Sequence, residues 1–341
     1  MRWFGLLISL LLLAACGKPT VHTQESFVFG TRVEVLVAEA DATRANRAAS
    51  AVLQEFDRLH RTFHAWKPSE LTTLNERIAA GQSAQVTPEL AQLIADAQAM
   101  AATGHHLFDP GIGRLIALWG FQSDEFRAQL PPAEEIAAWQ AAAPSIADIG
   151  LDDQQLRSKK PEVALDFGGY LKGIALDRAA ALLREQGVAN ALINIGGNVM
   201  ALGSKYGEPW RIGIQHPRQP GTLATMMLRD GEAVGTSGDY QRFFEIDGKR
   251  YCHLLDPRTA SPVSHTQAVT VLVSPRPQAG MRSDAGSKPL FIAGKEAWYG
   301  LAREMELDAL RVDADGSIEV TRAFADRLKF SAGLPAPSIL N

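Results

Sequence analysis

The sequence predicts an α+β fold, largely antiparallel sheets with packed helices, from three observations. Asp230-Gly231, Asp247-Gly248 and Asp315-Gly316 each separate two short strand-like runs, and an Asp-Gly pair supplies the positive φ that a tight hairpin turn needs. Other segments repeat apolar residues every three or four positions behind a capping residue, which marks amphipathic helices. At 341 residues and 46% hydrophobic content the chain has core enough for one large or two medium domains, and it contains no low-complexity run or fixed-period repeat. A net charge of −4 excludes the basic footprint of a nucleic-acid binder.

The first fifteen residues read as a signal segment. Arg2 gives a positive start, Trp3 to Leu13 an apolar stretch too short to span a bilayer, and Leu13-Ala14-Ala15-Cys16 a small-residue cleavage site ending in cysteine. The expected mature chain is therefore tethered to the membrane by lipid on Cys16. It faces the periplasm of a bacterial envelope, with the inner membrane preferred over the outer. Only Cys252 then remains, so no internal disulfide is expected and stability must come from the core. Residues 16–25 are expected to be a polar tether and residues 26–335 the folded domain.

Within that domain, Ser26 to Ala38 alternates as a strand broken at Gly30-Thr31. Asp41 caps a helix through Ala48, Val52, Phe56, Leu59 and Phe63 that ends near His64. Thr87-Pro88-Glu89 starts a helix that Gly104 stops. Pro131-Pro132 opens another, inside a surface insertion at about 122–147. Val163 to Leu165 is a short strand leading through Asp166, Gly168 and Gly169 to a helix that begins near Lys172. Glycines there let a ligand approach closely, and a helix start with a lysine beside it suits an anion; the plain alternative is a strand-to-helix turn with a solvated lysine. Strands follow at 191–195, 199–202, 210–215, 224–228 and 233–236, the last two as a hairpin across Asp230-Gly231. Strands at 242–246 and 250–255 form a second hairpin, and Gln267 to Ser274 is a strand. A helix begins near Met281, Glu296 to Met305 is helical, strands 309–312 and 317–321 close the domain, and 335–341 is a loose tail.

Four ordered motifs carry a resemblance. They are Asp166-Phe-Gly-Gly-Tyr-Leu-Lys172-Gly, Asn194-Ile-Gly-Gly, Thr236-Ser237-Gly238, and His253-Leu-Leu-Asp-Pro-Arg-Thr-Ala-Ser-Pro. Together they resemble the ApbE family of FAD:protein FMN transferases, over about residues 29 to 330. The resemblance implies an ApbE-like, T-fold-related architecture. It also implies an enzyme that cleaves the FAD pyrophosphate, attaches FMN by a phosphoester to a Thr or Ser of an exported or membrane flavoprotein, and releases AMP. An FAD pyrophosphatase and a non-catalytic flavin-binding lipoprotein are the alternatives.

By the same resemblance, Phe29, Trp66 and Trp119 are expected around the flavin. Thr236, Ser237, Gly238 and Lys172 are expected at the phosphates, and Asp166 either binds FAD or orients the glycine turn. His253 is the expected general base, with Lys172 and Asp284 beside it in catalysis. The resemblance further implies a Mg²⁺ held by Asp284 and the Gly169 carbonyl. At the third ligand position stands Lys288, which cannot ligate a cation, so Ser287, a water, or direct neutralisation by Lys288 is left to fill the role. The expected partners are FAD, an acceptor flavoprotein of a membrane or periplasmic redox system, and the membrane itself.

Overall fold

The computed structural model describes residues 20–341; the expected signal segment and the expected lipidation site Cys16 lie outside them. Its centre is a nine-stranded sheet. In spatial order the strands are Thr20–Val28, Thr31–Glu39, Ala191–Ile195, Asn198–Leu202, Ala233–Gly238, Thr266–Val273, Asp308–Asp313, Ile318–Thr321 and Ser338–Leu340. Each neighbouring pair is antiparallel except the last, which is parallel. The period of two seen in the sequence is what seats these strands: Val33, Val35 and Val37 are fully buried while Arg32 is exposed.

Helix α1 (Ala42–Thr62) starts where Asp41 accepts from the Thr43 and Arg44 amides. Helix α2 (Glu70–Ala79) starts at a capping box of Ser69 and Thr72, and α3 (Pro88–Thr103) at Thr87 with proline in its first turn, stopping at Gly104. Then come α4 (Gly113–Leu118), α5 (Ala133–Ala142), α6 (Leu171–Glu185) and α7 (Ala279–Ala293). Helices α1, α6 and α7 pack on one face of the large sheet, sharing a core with Ala233, Val269 and Val271. On the other face, Val234, Leu272 and Leu310 meet a three-stranded sheet of Trp210–Gln215, Thr222–Leu228 and Lys329–Phe330. A small third core joins Trp119, Phe121, Trp139, Phe244 and Leu255 between α5 and the 243–252 hairpin.

Five expectations need correction. Residues 20–25 are not tether: they belong to the outermost strand, paired in register with 34–39. Asp230-Gly231 does not close a hairpin, because Thr222–Leu228 stays in the small sheet while Ala233–Gly238 enters the large one. The turn is redirected by the Gly231 amide donating to Ala201 O at 2.9 Å and the Gly203 amide donating to Asp230 Oδ1 at 2.7 Å. Buried Glu232 just beyond it accepts from Arg327 at 2.8 and 2.9 Å. The C-terminal tail contributes the parallel edge strand Ser338–Leu340. Residues 163–165 form no regular strand, only a bridge between Ala164 and Ile112, since Asn75 accepts from the Leu165 amide and donates to its carbonyl. The 122–147 insertion is helical only at α5 and a 3₁₀ turn, Ile146–Asp148, and it buries Trp139. Helix α2 had no counterpart in the sequence expectations.

Candidate active site

Close approach of glycine-bearing elements builds the site. A side chain at Gly173 of α6 would lie 2.4 Å from Gly280 O of α7, and one at Gly235 2.3 Å from Ser283 O. Glycine at both places brings α6, α7 and strand Ala233–Gly238 into contact. The two helices then cap each other. Asp284 of α7, fully buried, accepts from the Gly173 amide in the first turn of α6 at 2.9 Å, and Asp177 of α6 accepts from the Gly280 and Met281 amides at 2.9 and 2.8 Å. The N-terminus of α6, expected to be open to an anion, is thus partly neutralised by Asp284. Burial pushes the Asp177 carboxyl up to about 6, against the two amide hydrogen bonds.

Lys288, one turn beyond Asp284, forms a buried ion pair with Asp284 Oδ1 and donates to the Asp284 carbonyl at 2.7 Å. Ser287 donates to that same carbonyl at 2.7 Å, and its hydroxyl is 2.7 Å from that of Ser237. Gly169 faces this group, since a Cβ there would lie 3.9 Å from Lys288 Cε and 3.0 Å from the Phe108 ring. Lys172 is near enough that its charge lowers the pKa of both Lys288 and His253, although burial is the larger cause in each. Asp166 orients the turn: Oδ1 accepts from the Gly168 amide at 2.8 Å and Oδ2 from Gln122 at 2.9 Å.

His253 lies against the ring of Phe121, centroids 6.4 Å apart, with Nδ1 3.2 Å from Arg242 O. A carbonyl can only accept, so Nδ1 carries the proton and Nε2 is left with its lone pair. Burial, then the charges of Arg242 and Lys172, push the imidazole down to about 3. It is therefore neutral in the free protein, a weaker base than its ordinary value suggests.

Arg242 had no signal in the sequence. Its guanidinium lies over Trp66 at 5.8 Å and Phe126 at 5.2 Å, donates to Phe121 O at 2.6 Å, and feels the charge of Asp166. Trp66 continues a ring contact series through His64 (4.5 Å), His60 (4.8 Å) and Phe29 (5.6 Å). Phe29 occupies the left-handed corner beside Gly30, next to the second glycine corner, where a Cβ on Gly196 would lie 2.5 Å from Thr31 Oγ1. The structure therefore connects Phe29 and Trp66 to Arg242 and His253. It joins Lys172, Gly169, Asp284, Ser287, Lys288 and Ser237 in one cluster, with Gly238 next along the strand.

Two expected residues lie elsewhere. Strand alternation turns Thr236 to the opposite face from Ser237; its hydroxyl is 3.0 Å from that of Thr270, and its amide donates to Asn198 Oδ1 at 3.2 Å. Trp119 belongs to the third core, its indole N–H donating to Ala260 O at 2.9 Å and its ring stacked on Tyr251.

Whether these residues suit a Mg²⁺ is decided by what Asp284 already holds. Its oxygens serve the Lys288 ammonium and the Gly173 amide, and Ser287 is engaged with Ser237 and Asp284. A divalent ion roughly 4 Å from the ammonium would be repelled by about 8 kcal/mol at an effective dielectric of about 20. The residues as they stand do not fit the ion. Among the described residues no group of three or more His, Cys, Asp or Glu could hold a metal.

This mixed α/β protein sets two lysines at the Gly169 turn, with an arginine and a neutral imidazole within range of their charge. Its family is the ApbE family: the family model matches residues 29–311, and the chain belongs to it. A relative from Rhodobacter capsulatus named FAD:protein FMN transferase is 39% identical over 322 residues, covering 94% of this chain; the chain spans only 61% of that relative's length. The crystal structure of the ApbE protein of Thermotoga maritima superposes with TM-score 0.82 at 31% identity, covering 90% of this chain and 99% of that one. The apo flavinyl transferase ApbE of Pseudomonas stutzeri gives 0.78 at 28% identity, over 93% and 98%.

Proposed function

We propose that this chain is an FAD:protein FMN transferase. The observation that carries the reading is the His253 environment. A neutral imidazole with a free Nε2 sits within the fields of Lys172, Arg242 and Lys288, so one place offers both a proton acceptor and the positive charge a diphosphate requires. The FAD diphosphate lies at the Gly168-Gly169 turn within reach of Lys172, and the isoalloxazine lies toward Trp66 and Phe29. The hydroxyl oxygen of an acceptor Ser or Thr attacks the phosphorus on the riboflavin side, and its proton passes to His253 Nε2. The bond to the AMP phosphate breaks and AMP leaves with the electron pair, its developing charge met by the lysines. Arrival of the diphosphate offsets the cations around His253 and brings its pKa back up, strengthening the base when substrate is bound.

A magnesium ion could reach Asp284 only by displacing Lys288 from it. The acceptor is a flavoprotein of a membrane or periplasmic redox system. The chain itself is anchored in the envelope through lipid on Cys16, as the Leu13-Ala14-Ala15-Cys16 run supports; mass spectrometry of the mature N-terminus tests this, an unmodified Met1 terminus speaking against it. Chromatography of nucleotides after incubation with FAD tests the reaction. AMP released only with acceptor present, without free FMN, supports transfer, whereas equal FMN and AMP without acceptor identifies a hydrolase.

A further inference from the structure

We infer that the Lys288 ammonium is this chain's built-in replacement for a divalent cation, so that FAD is bound and its phosphoryl group activated without metal. The inference rests on the transferase reading for its ligand and deepens it. Its ground is the arrangement around α7. Asp284, the carboxylate that faces Lys288 and Ser287, is fully buried and already neutralised by an ammonium one helical turn away. That ammonium is further fixed by the Asp284 carbonyl at 2.7 Å. Ser287, the hydroxyl that could have turned to a metal, is spent on the same carbonyl and on Ser237.

A lysine is a compact point charge with three donors on a flexible stem, and two of the three are accounted for by Asp284. The third remains for a phosphate oxygen. Lys288 keeps 11% of its side-chain surface exposed while Asp284 keeps none, so a ligand's access to the pair is through the lysine. Gly169 opposite presents no side chain to this lysine; a Cβ there would press on the Phe108 ring at 3.0 Å and reach ordinary contact with Lys288 Cε at 3.9 Å. Lys172 supplies the second charge, within range of both Lys288 and His253. Mg²⁺ by contrast demands about six oxygen ligands in near-octahedral array and would have to enter against two lysines.

The test uses the full chain, stripped with EDTA, its metal content measured, and FAD binding followed by quenching of flavin fluorescence. The expected result is an FAD affinity within about two-fold in EDTA and in excess Mg²⁺, with no heat of Mg²⁺ binding in calorimetry. Lys288→Thr should lose at least ten-fold in affinity in EDTA and recover it in Mg²⁺, while Lys288→Met should lose it in both. A wild-type affinity that falls ten-fold or more in EDTA and returns with Mg²⁺ would overturn the inference, and that comparison needs no variant to fold. If instead FAD binds equally in both buffers and no acceptor is ever flavinylated, the transferase reading fails while the metal-free site stands.

Discussion

Asp284 and Lys288 answer at the residue scale whether the buried pair serves stability or chemistry. Removing one partner leaves an unpaired charge in the core, so Asp284→Ala should cost about 3–5 kcal/mol. Replacing both with apolar residues, Asp284→Leu with Lys288→Met, should restore most of that stability and leave transfer abolished; thermal melts beside transfer assays check it. His253→Gln should slow transfer by about 10²–10⁴-fold without altering the fold, since only Nε2 is proposed to handle a proton.

The histidines also set a pH response. Burial pushes His64 down to about 4 and His253 to about 3. Both stay neutral in the fold while an unfolded imidazole protonates near about 6.5, so the stability they contribute is complete above that pH and is lost as pH falls toward 4 and 3. Asp177, raised to about 6, acts in the opposite sense, favouring the fold below about 4 and losing that advantage as pH rises to about 6. His64 Nδ1 accepts from the Trp66 and Lys67 amides, a role a protonated ring cannot fill. His64→Asn should flatten the acid limb of urea-unfolding free energy by close to one proton; an unchanged limb would assign the loss elsewhere.

At the scale of elements, the contact of α6, α7 and strand Ala233–Gly238 depends on absent side chains. Gly173→Ala or Gly235→Ala forces a methyl onto a backbone carbonyl and should cost about 1–3 kcal/mol, with Gly173→Ala also disturbing the amide that Asp284 accepts from. Gly300, exposed in the helix Trp298–Glu304 with nothing near it, is the control: alanine there should stabilise by up to about 1 kcal/mol. The reciprocal capping of α6 and α7 explains why those helix starts show no local capping residue. Each cap comes from a residue about a hundred positions away, which no local pattern reveals.

Over the whole molecule, local signals were legible and sheet membership was not. Capping residues, periodicity and Asp-Gly turns place α1, α3 and α5 within a residue or two and the 243–252 hairpin within three. The same Asp-Gly signal misled at 230–231, because a turn fixes a change of direction but not the sheet in which the next strand pairs. The Gly168-Gly169 turn and Lys172 are legible from the residues alone, whereas the roles of Asn194 to Gly197 and of Asp284 come only from the resemblance. Arg242 was invisible since a lone arginine beside a hairpin gains meaning only when Trp66, Phe126 and His253 are brought round it. Thr236 and Ser237 were read as one unit, although adjacent strand residues face opposite sides.

Mass spectrometry of a Ser/Thr-bearing acceptor domain from a membrane flavoprotein, incubated with FAD and the full chain, is the most direct measurement. The account predicts a mass gain of one FMN less a water on a single hydroxyl, with equimolar AMP, and at least a hundred-fold slower gain with Lys172→Met. An acceptor of unchanged mass beside intact FAD, or a Lys172→Met rate equal to wild type, would contradict it.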